Sequence, residues 1–212
     1  FDTARSQHEH VRIGALPNVC SQFLPGVITT FKTAYPEVVV TILPGTNAAL
    51  LGMLKRAETD FVIGRLSRGE DMRGLAFEAL FDEPLVFVAR AGHPLANRLV
   101  ALEALEAFPL MLPPQGTIIR EEVDRFFFSR GTSLPSNRLE STSSDFQRAF
   151  LKQSACVAVI PRGVLQAELE TGVFVELDVG EVSLKGPVGL TTNPKITPSA
   201  ALTELMTLIR AQ

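Results

Sequence analysis

Arg65 closes the apolar run Asp60-Phe61-Val62-Ile63-Gly64 and is the side chain here best suited to holding an anion. A guanidinium offers parallel N–H donors that match a carboxylate. At the carboxyl end of a strand it stands where α/β sheets bind ligands. The alternative is an ion pair with a carboxylate of its own fold. Two polar pairs follow apolar runs in the same way: Pro17-Asn18 after residues 11–16, and Thr46-Asn47 after residues 38–43. Asn18 either caps the next helix or offers an amide beside free helical N–H groups, which favour an anion. Thr46 has the same two readings, cap or ligand donor. Arg68 and Arg73 read as solvated loop charges.

Catalytic chemistry finds few parts. His8 and His10 lie in a polar lead-in, which leaves His93, in a His-Pro-Leu turn that reads as structural. No nucleophile–base pair, Gly-x-Ser-x-Gly elbow or phosphate-binding glycine loop is visible. Glu83, Asp60 and Glu140 show no spacing that demands acid–base work. No Cys/His cluster has zinc-like spacing, so neither a metal nor a cofactor is expected. Cys20 and Cys156 are too few for a disulfide framework, which points to a reducing, cytoplasmic compartment. Cys156 opens an apolar run and reads as a small core residue, because buried cysteine behaves as a hydrophobe.

The 212 residues are 46% hydrophobic and 20% charged, with a net charge of −3. That is enough core for one domain or two small lobes. A net negative chain is not a nucleic-acid surface, so any action on DNA belongs to another part of the protein. No apolar run approaches the ~20 residues of a membrane-spanning helix. The chain begins at Phe1, which suggests that a signal peptide or an N-terminal domain has been removed.

The elements that must position these residues come from periodicity. Residues 11–16 read as a strand. Phe23, Leu24, Val27, Ile28 and Phe31 have helical spacing, with Pro25 near the helix start and Tyr35-Pro36 at its end. Residues 38–43 are a β-branched run expected to be buried on both faces. Leu50, Leu51 and Leu54 mark a second helix, and residues 60–64 a third strand. Residues 75–81 and 84–89 read as two extended segments joined by Asp82-Glu83. A short helix covers about residues 101–106.

The opening pattern then returns. Residues 109–112 form a strand, Pro113-Pro114-Gln115-Gly116 a turn, and Ile119, Val123, Phe126 and Phe127 one helix face. Phe128 lies off that face and either covers the core edge or meets a partner. Residues 138–141 form a strand, Ser144 to Gln147 suit a capping box, and residues 157–160 form a third strand. Arg120, one turn on from Thr117, faces either the cleft or solvent, with solvent the preferred reading. Residues 173–179 and 187–191 are extended, and Thr197-Pro198 opens a final helix. Strands alternating with helices imply parallel pairing and right-handed crossovers. The fold class is therefore α/β, two Rossmann-like lobes joined by two crossover strands. The lead-in covers residues 1–10, lobe I residues 11–82 with 185–212, and lobe II residues 83–184. A cleft between them is the expected site.

Val11-Arg12-Ile13-Gly14, Phe31 with Tyr35-Pro36-Glu37-Val38, and Thr59-Asp60-Phe61-Val62-Ile63-Gly64 resemble the regulatory domain of LysR-type transcriptional regulators. So do the run from Leu80 to Val88, His93-Pro94-Leu95 and Val157-Ala158-Val159-Ile160-Pro161. The order and spacing hold along nearly the whole chain. Arg65-Leu66 after the third strand resembles the branch with regulators of aromatic-acid catabolism and of sugar-binding proteins. Pro17-Asn18 stands where the family often has serine or threonine, and Ser154-Ala155-Cys156 where it usually has Gly-Leu-Gly.

The resemblance implies a fold like the type II periplasmic binding proteins and a small-molecule effector in the cleft. It implies Pro17, Asn18, Thr46, Asn47 and Arg65 on one wall, with Gly116, Thr117, Ser143 and Cys156 as the other candidates. It also implies an antiparallel homodimer through the first helix, with Phe23, Val27 and Thr30, and through the lobe-two helix bearing Phe128. The full-length protein would be a tetramer, with DNA bound through a separate N-terminal helix-turn-helix. A transporter's periplasmic solute-binding protein would share the fold. An upstream helix-turn-helix, as against a cleavable apolar segment, separates the two.

Overall fold

The computed structural model describes residues 9–67, 69–180 and 184–212. The start of the lead-in, with His8, and Arg68 lie outside the described residues. The chain forms two compact units, Phe1–Leu80 with Val188–Gln212, and Phe81–Pro187.

In the first unit the central strand is β1 (His10–Ala15). It pairs in parallel with β2 (Val39–Pro44) on one side and β3 (Phe61–Arg65) on the other. The Val188–Thr192 part of a long strand runs antiparallel along β3, from Val62↔Thr191 to Arg65↔Val188. Three helices cover this sheet: α1 (Leu24–Ala34), α2 (Asn47–Lys55) and the C-terminal helix (Ala200–Arg210). Ile13, Leu24, Val27, Phe31, Leu50, Leu54, Phe61 and Leu205 are fully buried. Each such side chain contributes about 1.5–3 kcal/mol of transfer free energy.

Four features of this unit differ from expectation. The β2 run is not buried on both faces: the strand lies at the sheet edge, with Val39 and Ile42 exposed. β-Branched residues suit a pleated surface whether or not its second face is covered. The first helix begins a turn earlier than its apolar spacing shows. Val19–Phe23 is a π-helical turn, and Pro25 falls at the second position of α1. Proline offers no N–H, and the widened turn spares the ladder that missing donor. Asn18 makes no side-chain cap to this helix. The last helix is capped by Ser199, whose Oγ accepts from the Leu202 N–H at 3.2 Å, so Thr197-Pro198 precedes the cap.

The second unit repeats the plan. Its strand β4 (Ala76–Arg90) enters from the first unit as one continuous strand. Asp82-Glu83 does not break it, and both side chains have partners within the second unit. Asp82 pairs with Lys185 at 2.9 Å, and Glu83 accepts from the Gly163 N–H at 2.7 Å. The central strand is β5 (Leu110–Leu112), followed by α3 (Ile118–Ser129), β6 (Arg138–Glu140), α4 (Ser144–Gln153) and β7 (Val157–Pro161).

Strands β6 and β7 flank β5 in parallel, and β4 runs antiparallel on β7 from Leu85↔Pro161 to Val88↔Ala158. After a short α5 (Gln166–Glu170), β8 (Phe174–Glu176) pairs with β4 and β9 (Lys185–Thr192) returns to the first unit. The C-terminal helix is α6. Alternate residues of each strand serve two cores. Phe87, Leu112 and Val157 join one with Val123 and Phe127, while Val88, Met111 and Ala158 join the other with Leu151 and Phe174. A sheet covered on both faces explains the unbroken apolar strands.

Candidate functional site

Parallel pairing brings the C-terminal ends of β1, β2 and β3 to one edge. Ala15 is level with Pro44 and Ile63, and the Leu16 N–H donates to the Ile63 carbonyl at 3.1 Å. Pro17-Asn18, Thr46-Asn47 and Arg65 therefore gather on one side of the first unit. Arg65 is only 3% exposed and Asn18 is buried. Thr46 is a cap: its Oγ1 accepts from the Ala49 N–H at 3.4 Å and opens α2. Asn47 turns inward. Its Nδ2 donates to the Arg65 carbonyl at 2.9 Å and to Ser67 Oγ at 2.8 Å.

The second unit has its own edge after β5 and β6. Gly116 takes a left-handed conformation, φ 79°, which lets the chain turn sharply into α3. Thr117 caps that helix, accepting from the Arg120 N–H at 3.3 Å and donating to the Pro114 carbonyl at 2.9 Å. Ser143, not Ser144, caps α4 and accepts from the Phe146 N–H at 3.3 Å. The expected box does not form, because Gln147 donates to the Ser141 carbonyl at 2.9 Å.

Arg120 reverses its expectation. It is 2% exposed, not solvated. Its guanidinium donates to Asp124 at 2.8 Å, to the Pro113 carbonyl at 3.2 Å and to Glu140. These acceptors surround the turn before α3, so Arg120 fixes the shape of that edge. The Asp124 position, one helical turn on, was the visible signal; Glu140 was not. Glu140 is held below the usual carboxylate range by its hydrogen bond to Arg120.

Cys156 is not brought to this edge. Val157 is level with Leu110 at the start of the parallel strands, so Cys156 lies at the end opposite Thr117 and Ser143. It is wholly buried, and burial pushes its thiol up to about 12. The reading as a core residue fits this placement and the ligand reading does not. Cys20 is partly buried and its thiol is likewise raised by burial. His93 is buried and structural: Nδ1 accepts from the Leu95 N–H at 3.1 Å, and its ring meets Phe108 at 4.5 Å.

Among the proposed partner contacts, Val27 is wholly buried, on the core side of α1 with Leu24 and Phe31. Residues three and seven apart share a helix face, so Val27 belongs to the core and cannot meet a partner from there. Phe23 is partly buried, Thr30 exposed, and Phe128 is 85% exposed. Phe128 therefore does not cover the edge of its own core. Among the described residues no group of His, Cys, Asp and Glu could hold a metal ion. No described helix is long and apolar enough to cross a membrane.

A family model described as the LysR substrate binding domain matches residues 4–212. The regulator PcaQ of Agrobacterium fabrum is 37% identical over 204 residues, covering 94% of this chain and 65% of that protein. YdcI of Escherichia coli, an uncharacterized regulator, is 32% identical over 200 residues with the same coverage of each. Both are named HTH-type transcriptional regulators, and the chain spans about 65% of their length. Among solved structures, the Synechocystis CcmR regulatory domain in complex with 2-PG has a TM-score of 0.83 at 20% identity, covering 96% of this chain and 97% of that one. The effector binding domain of QuiR in complex with shikimate has a TM-score of 0.75 at 16% identity, covering 96% of each chain. The fold is that of these regulatory domains, of the periplasmic-binding-protein-like type.

Proposed function

The chain belongs to the LysR substrate-binding domain family, and from that premise we propose that it senses a small anionic metabolite for a transcriptional regulator. The carrying observation is the convergence of three strand ends on one edge, with Arg65 buried at the end of β3. The Arg65 guanidinium anchors the effector's carboxylate. Pro17, Asn18 and Thr46 shape the same edge, while Gly116, Thr117 and Ser143 line the edge of the second unit. Effector binding shifts the domain between conformations by its differential affinity for them. That bias passes through a homodimer to DNA-binding domains supplied by a separate helix-turn-helix, in a cytoplasmic tetramer. The chain performs no catalysis of its own. Partner contacts run through Phe23 at the end of the π-helical turn, Thr30 on α1 and Phe128 on α3.

The test is a thermal-shift screen of the domain with small carboxylates, including shikimate and 2-PG, and with neutral sugars. One or more carboxylates should raise the melting temperature without being consumed. Arg65→Ala should weaken the best of them by about 1.5–3 kcal/mol, the worth of a charged hydrogen bond. Unchanged affinity in that variant removes Arg65 from the site.

A further inference from the structure

We propose that Asn47 is the positioning residue for Arg65 and makes no contact with the effector itself. The inference rests on the reading of Arg65 above. Asn47 begins α2, and its carboxamide reaches the exit of β3, eighteen positions on. A carboxamide nitrogen has two hydrogens. One goes to the Arg65 carbonyl at 2.9 Å and the other to Ser67 Oγ at 2.8 Å. No donor remains for a ligand.

The acceptor is no freer to meet one. Oδ1 is buried without a hydrogen bond among the described residues. It lies 2.3 Å from where a Cβ on Gly64 would stand. Residue 64 can therefore carry no side chain while the amide is in place. Flipping the carboxamide would set Oδ1 against the Arg65 carbonyl oxygen, acceptor against acceptor, so the donor must face Arg65.

The consequence is a residue held from both sides. The ladder with Val188 fixes Arg65 along β3, and the Asn47 bond fixes its carbonyl where the strand stops. The second bond fixes Ser67, which is buried two residues on. A guanidinium with a settled Cα–Cβ direction meets its carboxylate with less ordering left to do.

Two measurements on the domain test this. The first needs no ligand: the side-chain Nε–Hε resonance of Arg65 in ¹⁵N spectra. Asn47→Ala should move or broaden it, whereas Ser199→Ala, which removes the cap of α6, should leave it in place. Should Asn47→Ala fail to fold, Asn47→Asp keeps the size, loses both donors and should show the same change. An unmoved Arg65 resonance in the variant that folds overturns the proposal.

The second is a double-mutant cycle read with whichever of shikimate and 2-PG binds. Asn47→Ala should weaken binding about tenfold when Arg65 is present and have almost no effect beside Arg65→Ala. Losses that simply add mean that Asn47 touches the ligand itself, which also overturns the proposal. If Arg65→Ala leaves binding intact while Asn47→Ala still moves the resonance, the effector role of Arg65 fails and the positioning stands.

Discussion

Gly64 and Gly189 face each other across the β3–β9 ladder, and each keeps a place for a different intruder. The space over Gly64 holds the Asn47 carboxamide. A Cβ on Gly189 would stand 2.1 Å from the Glu78 carbonyl oxygen and 2.6 Å from the edge of the Phe77 ring. Backbone crosses backbone there, in one of the two strands that carry the chain between the units.

Gly189→Ala should therefore be costly, since a carbonyl cannot swing aside as a flexible side chain can. Overpacking of this kind costs about 1–3 kcal/mol or more. Urea unfolding should show a lower midpoint with an unchanged slope. Gly26→Ala makes a fair control, because a Cβ there meets nothing within 4 Å in a helix that favours alanine. Equal midpoints for the two variants would contradict the close crossing.

Glu83 supplies a second expectation. Its carboxylate accepts from the buried Gly163 N–H across eighty positions of sequence. Glu83→Ala removes a charged acceptor, worth about 1.5–3 kcal/mol. Glu83→Gln retains an acceptor oxygen and should lose clearly less. Matching losses in the two variants would mean that the bond to Gly163 contributes little.

Much of the architecture was legible because burial leaves a period. Phe31, Leu54 and Val123 sat at helical spacing, and residues 61–63 and 157–160 were continuous apolar runs, as strands covered on both faces are. The edge position of β2 was hidden, since a β-branched run reads alike at an edge and in a centre. The helix starts slipped by one or two residues where capable caps adjoin, Ser143 beside Ser144 and Ser199 near Thr197. The strand ends at residues 17–18, 46–47 and 65 were readable, because a strand's end is local. What those side chains do there was not. The role of Asn47 needs the Arg65 carbonyl and Ser67, and the burial of Arg120 needs Pro113 and Glu140.

Arg120 yields a prediction through its geometry. Three acceptors in three directions suit a planar guanidinium and not the point charge of an ammonium. Arg120→Lys should lose about 1–2 kcal/mol of stability in spite of its conserved charge. Hydrogen exchange should also quicken at the amides of Gln115, Gly116 and Thr117, the turn residues that carry an N–H. A lysine variant as stable and as protected as the parent would show that charge alone suffices.

His93 sets a pH dependence. Burial lowers its pKa first of all, Arg90 lowers it further, and the bond to the Ala155 carbonyl opposes both. The folded chain therefore takes up this proton at a lower pH than the unfolded chain, whose histidine titrates near ~6.5. Between those two values the unfolded state binds the proton and the folded state does not, so stability falls with falling pH. The contribution is complete above ~6.5 and is lost as pH drops through the window, with no further change from this residue below it. Protonation would also end the bond in which Nδ1 accepts from the Leu95 N–H. The unfolding free energy should decline as pH falls below ~6.5, and His93→Gln should flatten that decline. Glu140 and Glu58, whose pKa values are lowered by their arginine partners, titrate in a more acidic range than this window. A variant that declines as steeply as the parent would assign the dependence to another group.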